Sequence, residues 1–120
     1  MATIGHLSAS TDGAGVKIAA TSSAGTLIHT AINATDRIDE VTIWLYNSHT
    51  AALAVTFEIG GTTDPDNHLV LTIPADSGLY LAVEGLPIQN AKTIKAFAGT
   101  TNVVIATGRV LRSTADEAHN

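Results

Sequence analysis

The densest run of candidate ligands is Asp64-Pro65-Asp66-Asn67-His68. Hard oxygen donors at alternate positions of a loop suit calcium. The run lacks the downstream bidentate glutamate of a dedicated calcium loop, and Asp-Pro and Asp-Asn are ordinary turn formers. We therefore read a turn and assign no metal. The five histidines are His6, His29, His49, His68 and His119. Catalysis or metal binding requires two or three to converge, usually with a carboxylate, and no H-E-x-x-H spacing occurs. His49 falls in a turn and His119 in the tail, both read as solvated. His29 falls in a strand, as a hydrogen-bonded and partly buried residue. Serines are plentiful, but no G-x-S-x-G is present. Ser77 before Gly78 is a turn serine, and Gly60-Gly61 lacks the Gly-Lys-Ser/Thr of a phosphate loop. Asp39/Glu40 and Asp116/Glu117 are adjacent carboxylates. Neighbours on a strand point to opposite faces, so the first pair cannot serve one substrate. With no cysteine, thiolate chemistry and disulfides are also absent. No nucleophile, base and orienting group can be assembled. The chain reads as a non-enzyme, with no catalytic residue, metal or cofactor.

What remains is contact chemistry. Trp44 and Tyr46 share one strand face, opposite an apolar row. Tyr80 and Phe97 also stand opposite the more aliphatic rows of their strands. These four either form a second core layer or face a partner, because Trp and Tyr bury large area at low entropy cost. A sugar-stacking platform is a third reading, weakened by there being only five aromatics. Arg37, Arg109 and Arg112 are candidates for ion pairs with a partner, weighed evenly against solvated charges.

These residues need strands to hold them. Period-two alternation runs through most of the chain. Val16, Ile18 and Ala20 alternate with Lys17, Ala19 and Thr21. In 26–33, Leu27, His29 and Ala31 oppose Ile28, Thr30 and Ile32. In 40–47, Val41, Ile43 and Leu45 oppose Thr42, Trp44 and Tyr46. In 52–59, Leu53, Val55, Phe57 and Ile59 oppose Ala54, Thr56 and Glu58. The last two segments read as a hairpin with one buried face. Further strands follow over 69–73, 79–84, 93–98 and 103–111, with Leu79, Leu81 and Val83 taken as one apolar row. No sustained helical period occurs. About eight short antiparallel strands, spaced by turn residues, indicate an all-β sandwich, jelly-roll or Ig-like, or a small barrel. Residues 1–15, rich in Ser, Thr, Ala and Gly, read as a flexible or partner-ordered arm or a loose first strand. Residues 16–112 form the domain, and 113–120 a polar tail.

Composition narrows the setting. The chain has 120 residues, which fits one domain. A formal charge of −5 opposes nucleic-acid binding. No segment has the pattern of a signal peptide or the length of a membrane helix, so neither a membrane nor export is expected. Charged residues are 14% of the chain, against about 25% in ordinary proteins. They collect in turns and at the ends. Uncharged strand faces and edges call for cover by neighbouring subunits.

Several segments carry a resemblance. They are Gly25–Ala31, Ile38–Asn47, Phe57–Thr63, Ile73–Tyr80 and Lys95–Val103. Their order of strand, polar turn, long hairpin, Gly-Gly-Thr-Thr loop, Pro-Ala turn and closing strand after Thr-Thr-Asn-Val resembles small virion proteins of tailed bacteriophages. The resemblance covers about residues 25–112. It implies a β-sandwich or jelly-roll that binds the capsid exterior as a decoration (cement) protein, or that sits elsewhere in the particle. The implied partners are the major capsid protein and further copies of the chain, as a dimer or trimer. The implied location is the virion surface after synthesis in a host cytoplasm.

Overall fold

A computed structural model describes residues 3–76 and 78–114. Among the described residues the chain is all-β, with nine strands in two antiparallel sheets. The strands are β1 (Thr3–His6), β2 (Val16–Lys17), β3 (Thr26–Thr30), β4 (Arg37–Asn47), β5 (Leu53–Ile59), β6 (His68–Ile73), β7 (Tyr80–Ile88), β8 (Thr93–Ala98) and β9 (Val104–Thr114). One sheet, sheet A, runs β1-β9-β4-β7, with β2 also on β9. The other, sheet B, runs β3-β8-β5-β6.

The pairs nest. β5 pairs β6, β4 pairs β7, β3 pairs β8, and β1 pairs β9. This is one long antiparallel ribbon whose tip is the 60–67 loop. Rolling it brings β9 onto β4 and β8 onto β5, and those pairings complete the two sheets. Such nesting is the jelly-roll order of a β-sandwich. The expected hairpin between 40–47 and 52–59 is corrected: β4 and β5 lie in different sheets. Alternation fixes which side chains turn inward but does not choose the partner strand, and both rows serve the same core from opposite sides.

That core takes Val41, Ile43 and Leu45 from β4, Val55 and Phe57 from β5, Ile94, Ala96 and Ala98 from β8, and Val104, Ala106 and Val110 from β9. β-branched residues dominate these rows because they pack well on a pleated surface. Ile18 and Leu7 are fully buried in the same cluster.

Two irregularities re-aim side chains. In β3 the register with β8 shifts between Leu27 and His29. Ile28 is the extra residue of this bulge, and both Ile28 and His29 turn inward and are buried. In β7, Ile43 pairs Val83 while the next residue, Trp44, pairs Leu81. Skipping Ala82 reverses the row. Leu79 and Leu81 are therefore exposed, while Tyr80 and Ala82 pack against the core. The expected apolar row of Leu79, Leu81 and Val83 is thus corrected, and so is the placement of Tyr80 opposite it.

The N-terminal segment, read as an arm or a loose first strand, joins the sandwich from Thr3 onward. β1 lies along the full register from Thr3/Arg112 to His6/Arg109, and Ala9 donates its N–H to the Ile28 carbonyl. At the other end, Ser113 and Thr114 continue β9 opposite Ile38 and Arg37. The readings of Ser77, Asp116, Glu117 and His119 lie outside the described residues.

Candidate functional site

The register pair Asp39/Arg112 places two charged side chains on the inner face of sheet A, at one end of the core. Asp39 is fully buried. Arg112 holds it through two contacts, Nε to Oδ1 at 2.6 Å and Nη2 to Oδ2 at 3.0 Å. His29 Nε2 lies 2.9 Å from Oδ2, and the Ile32 N–H donates to the same oxygen at 3.1 Å. On the far side of the imidazole, the Ser8 backbone N–H donates to His29 Nδ1 at 3.0 Å. A backbone N–H can only donate, so Nδ1 is the acceptor and Nε2 carries the proton to Asp39. Burial pushes the Asp39 carboxyl up. The hydrogen bonds from Arg112 and His29, the Arg112 charge and the Ile32 N–H outweigh it, and hold the group below the usual carboxylate value. The bond to Asp39 raises the Arg112 guanidinium in turn, against a smaller opposing effect of burial.

Ser8, His29 and Asp39 contain the residue types of a hydrolytic triad without its geometry. Both imidazole nitrogens are occupied, one by the carboxylate and one by a main-chain amide. The Ser8 hydroxyl instead accepts the Thr30 N–H at 2.7 Å. No lone pair of His29 is left to take a serine proton, as a nucleophilic mechanism requires. The cluster ties three segments together: Ser8 after β1, His29 on β3, and the β4–β9 pair. A cavity of about 270 Å³ opens beside it, lined by Thr3, His6, Ser8, Val110 and Arg112 among others.

A second buried carboxylate sits on the outer face of sheet B. Glu58 receives the Ser23 hydroxyl at 2.5 Å, the Gly25 N–H at 2.6 Å and His68 Nε2 at 3.2 Å. The 19–25 segment therefore folds over this face. Burial pushes Glu58 up, while Ser23, Gly25 and His68 lower it further and hold it below its usual value. His68 Nδ1 lies 3.6 Å from Asp64, and its ring meets Phe97 edge-on at 5.9 Å. The Asp64–His68 run makes a turn: the Asn67 side chain accepts the Thr63 N–H and donates to the Ile59 carbonyl. Among the described residues, no group of three His, Asp or Glu side chains is arranged to hold a metal.

No protein-family model, curated protein or solved structure matches the chain. Trp44, Tyr46 and Arg109 share the outer face of sheet A. Rows across that face run Ile4–Leu111–Glu40–Pro87, His6–Arg109–Thr42, Thr107–Trp44–Leu81 and Lys17–Ile105–Tyr46. Trp44 and Tyr46 are half-buried, and Ile4 is 73% exposed. The Tyr46 hydroxyl donates to Asp76 at 3.1 Å, and that bond, with the Asp76 charge, raises the phenol above its usual value. Phe97 is on the opposite side of the molecule, on the outer face of sheet B beside His68. Tyr80 packs against the core, Arg112 is engaged by Asp39, and Arg37 is exposed at the start of β4. The candidate contact residues thus divide between two faces and the interior.

Asp39 and Glu58 are fully buried carboxylates that sequence reasoning does not place in a site: Asp39 enters it only beside Glu40, as a pair unable to serve one substrate, and Glu58 only as a strand residue. Asp39 carried a signal: it has the same parity as Val41, Ile43 and Leu45, so it shares their inward row. Glu58 carried none, because its strand face is covered by a segment more than thirty residues earlier in the chain.

Proposed function

We propose that this chain is a non-enzymatic structural subunit of a phage particle that decorates the capsid exterior and stabilises it by bridging capsid subunits. The carrying observation is the outer face of sheet A. There Ile4, Trp44, Leu81, Ile105 and Leu111 stand where a solvated sheet face would hold charges. Lys17, Glu40 and Arg109 are interspersed among them and supply register for a partner. The internal polar clusters support the reading from the other side, since their hydrogen bonds are spent on holding strands together. Jelly-roll sandwiches serve many functions, viral coats among them, so the fold is compatible with the reading without deciding it. Many weak copies on a lattice reach high avidity, which suits opposition to the pressure of packaged DNA. The particle resemblance of residues 25–112 narrows the partner to the major capsid protein, with the chain self-associating.

The test is quantitative mass spectrometry of purified particles, with co-sedimentation of the chain on DNA-filled heads. Hundreds of copies per particle and saturable binding, lost in Trp44→Ala, are expected. A handful of copies would assign the chain to the tail, neck or fibre instead. A glycan-binding reading draws on the same Trp44–Tyr46 pair; glycan-array binding abolished by Trp44→Ala would favour it over decoration.

A further inference from the structure

The sandwich has four outer edges, and three are protected. β1 is only four residues long and contains Gly5. β3 is bulged at Ile28. β7 carries Glu84, Gly85 and Pro87 and two register shifts. Each of these devices discourages edge pairing. β6 has none of them. His68-Leu-Val-Leu-Thr-Ile73 contains no Asp, Glu, Lys, Arg, Pro or Gly, and it pairs β5 from end to end without a shift.

The ladder shows which groups its free edge presents. The Ile59 N–H donates to the Asn67 carbonyl at 2.8 Å, which makes 59/67 a hydrogen-bonded pair. Antiparallel alternation then directs the N–H and C=O groups of 69, 71 and 73 at β5, and those of 68, 70 and 72 outward. The His68 N–H is held by the Pro65 carbonyl, so the open donors are Val70 and Thr72. The apolar side chains are symmetric about Val70, as Leu69-Val70-Leu71.

We infer that β6 pairs antiparallel with β6 of a second copy, about a twofold axis at Val70, to form an isologous dimer. In this register Val70 meets Val70 and exchanges both main-chain bonds. Thr72 N–H reaches the partner His68 carbonyl. Leu69 meets the partner Leu71 on the inner face. No charged side chain of the strand faces a like charge, which removes the usual penalty of self-pairing. Leu69 is 40% exposed although it points inward, because the sandwich is open between the β6 and β7 edges. The partner's strand would close that seam. A specific interface buries roughly 1,200 Å² or more in total, beyond what one short strand provides. Within the strand the pairing would cover Leu69 and Val70, 40% and 61% exposed, and the surface flanking β6 in the two copies must supply the rest. The palindromic pattern favours a second copy over an unrelated strand, since it is complementary to itself.

This deepens the self-association part of the proposed function and rests on that part alone. The test is sedimentation velocity of the full chain over a concentration series, with Val70→Pro and Val70→Lys. The wild type should sediment at twice the 12.3 kDa chain mass. Val70→Pro removes an outward donor without removing a bond to β5, so it should be a folded monomer. Val70→Lys, at a 61%-exposed position, should also be monomeric and serves if the proline variant fails to fold. Val70→Ile should remain a dimer. The Thr72 amide should exchange slowly with deuterium in the wild type and fast in Val70→Lys. A wild-type monomer, a trimer, or a Val70→Lys dimer would overturn the inference. A monomer that still saturates capsids would overturn this pairing and leave decoration standing; a dimer that ignores capsids would do the reverse.

Discussion

Arg112 and Asp39 face each other across the β9–β4 pair and close a two-point contact, with distances of 2.6 and 3.0 Å, over a carboxylate that has no exposed surface. A buried charge that loses its partner is costly, whereas loss of both charges is far less so. Arg112→Met should therefore lower the unfolding free energy by about 3 kcal/mol. In an Asp39→Asn background the same substitution should cost less than half of that. Urea unfolding of the four proteins gives the coupling. Additive effects would show that the pair is not the source of the stabilisation.

Acid should attack both buried carboxylates. Asp39 and Glu58 are both held below their usual values, so the native state binds protons less readily than the unfolded chain. Their contribution is present above the unfolded carboxylate value of about 4, and is lost as pH falls through the depressed native values. On account of these two carboxylates the urea midpoint should fall as pH drops below about 4. Asp39→Asn should flatten that acid limb. A limb unchanged in this variant would assign acid sensitivity to other groups.

Glu58 holds the 19–25 segment on sheet B by the Ser23 hydroxyl and the Gly25 N–H. Hydrogen bonds to a charged acceptor contribute about 1.5–3 kcal/mol each. Glu58→Ala should release this segment and cost about 2 kcal/mol or more. Limited proteolysis should then cut within 19–25 well before the body of the domain. Simultaneous cleavage throughout would mean that the segment is not a separable unit.

The all-β class and most of the core were legible because β4, β5, β8 and β9 keep strict alternation. Val41, Ile43, Leu45, Val55 and Phe57 all point where their parity directs them. The misplacements have local causes. Ile28 and Ala82 are extra residues in their ladders, and one extra residue inverts every side chain beyond it. A bulge leaves no mark in composition, so Tyr80 and Leu81 exchanged places and His29 came to face Asp39. Strand order was not legible either. The nested ribbon depends on which uncharged strands meet, and alternation is silent on that.

Gly108 is confined by the backbone of the strand beside it. It sits in the middle of β9 opposite Ile43, on the inward row. A Cβ there would collide with the Thr42 carbonyl and approach the Ile43 Cα at 3.2 Å. Both obstacles are backbone of the central neighbouring strand, which cannot withdraw without lengthening the β4–β9 ladder. Overpacking against movable side chains already costs about 1–3 kcal/mol, so Gly108→Ala should cost at least that. Gly5 is the internal control. It lies on edge strand β1 with open space around its Cβ position. Gly5→Ala should be neutral or slightly stabilising, because alanine restricts the unfolded chain more than glycine does. Thermal unfolding of both variants decides the matter: equal midpoints would mean that β4 and β9 do not approach as closely as the ladder requires.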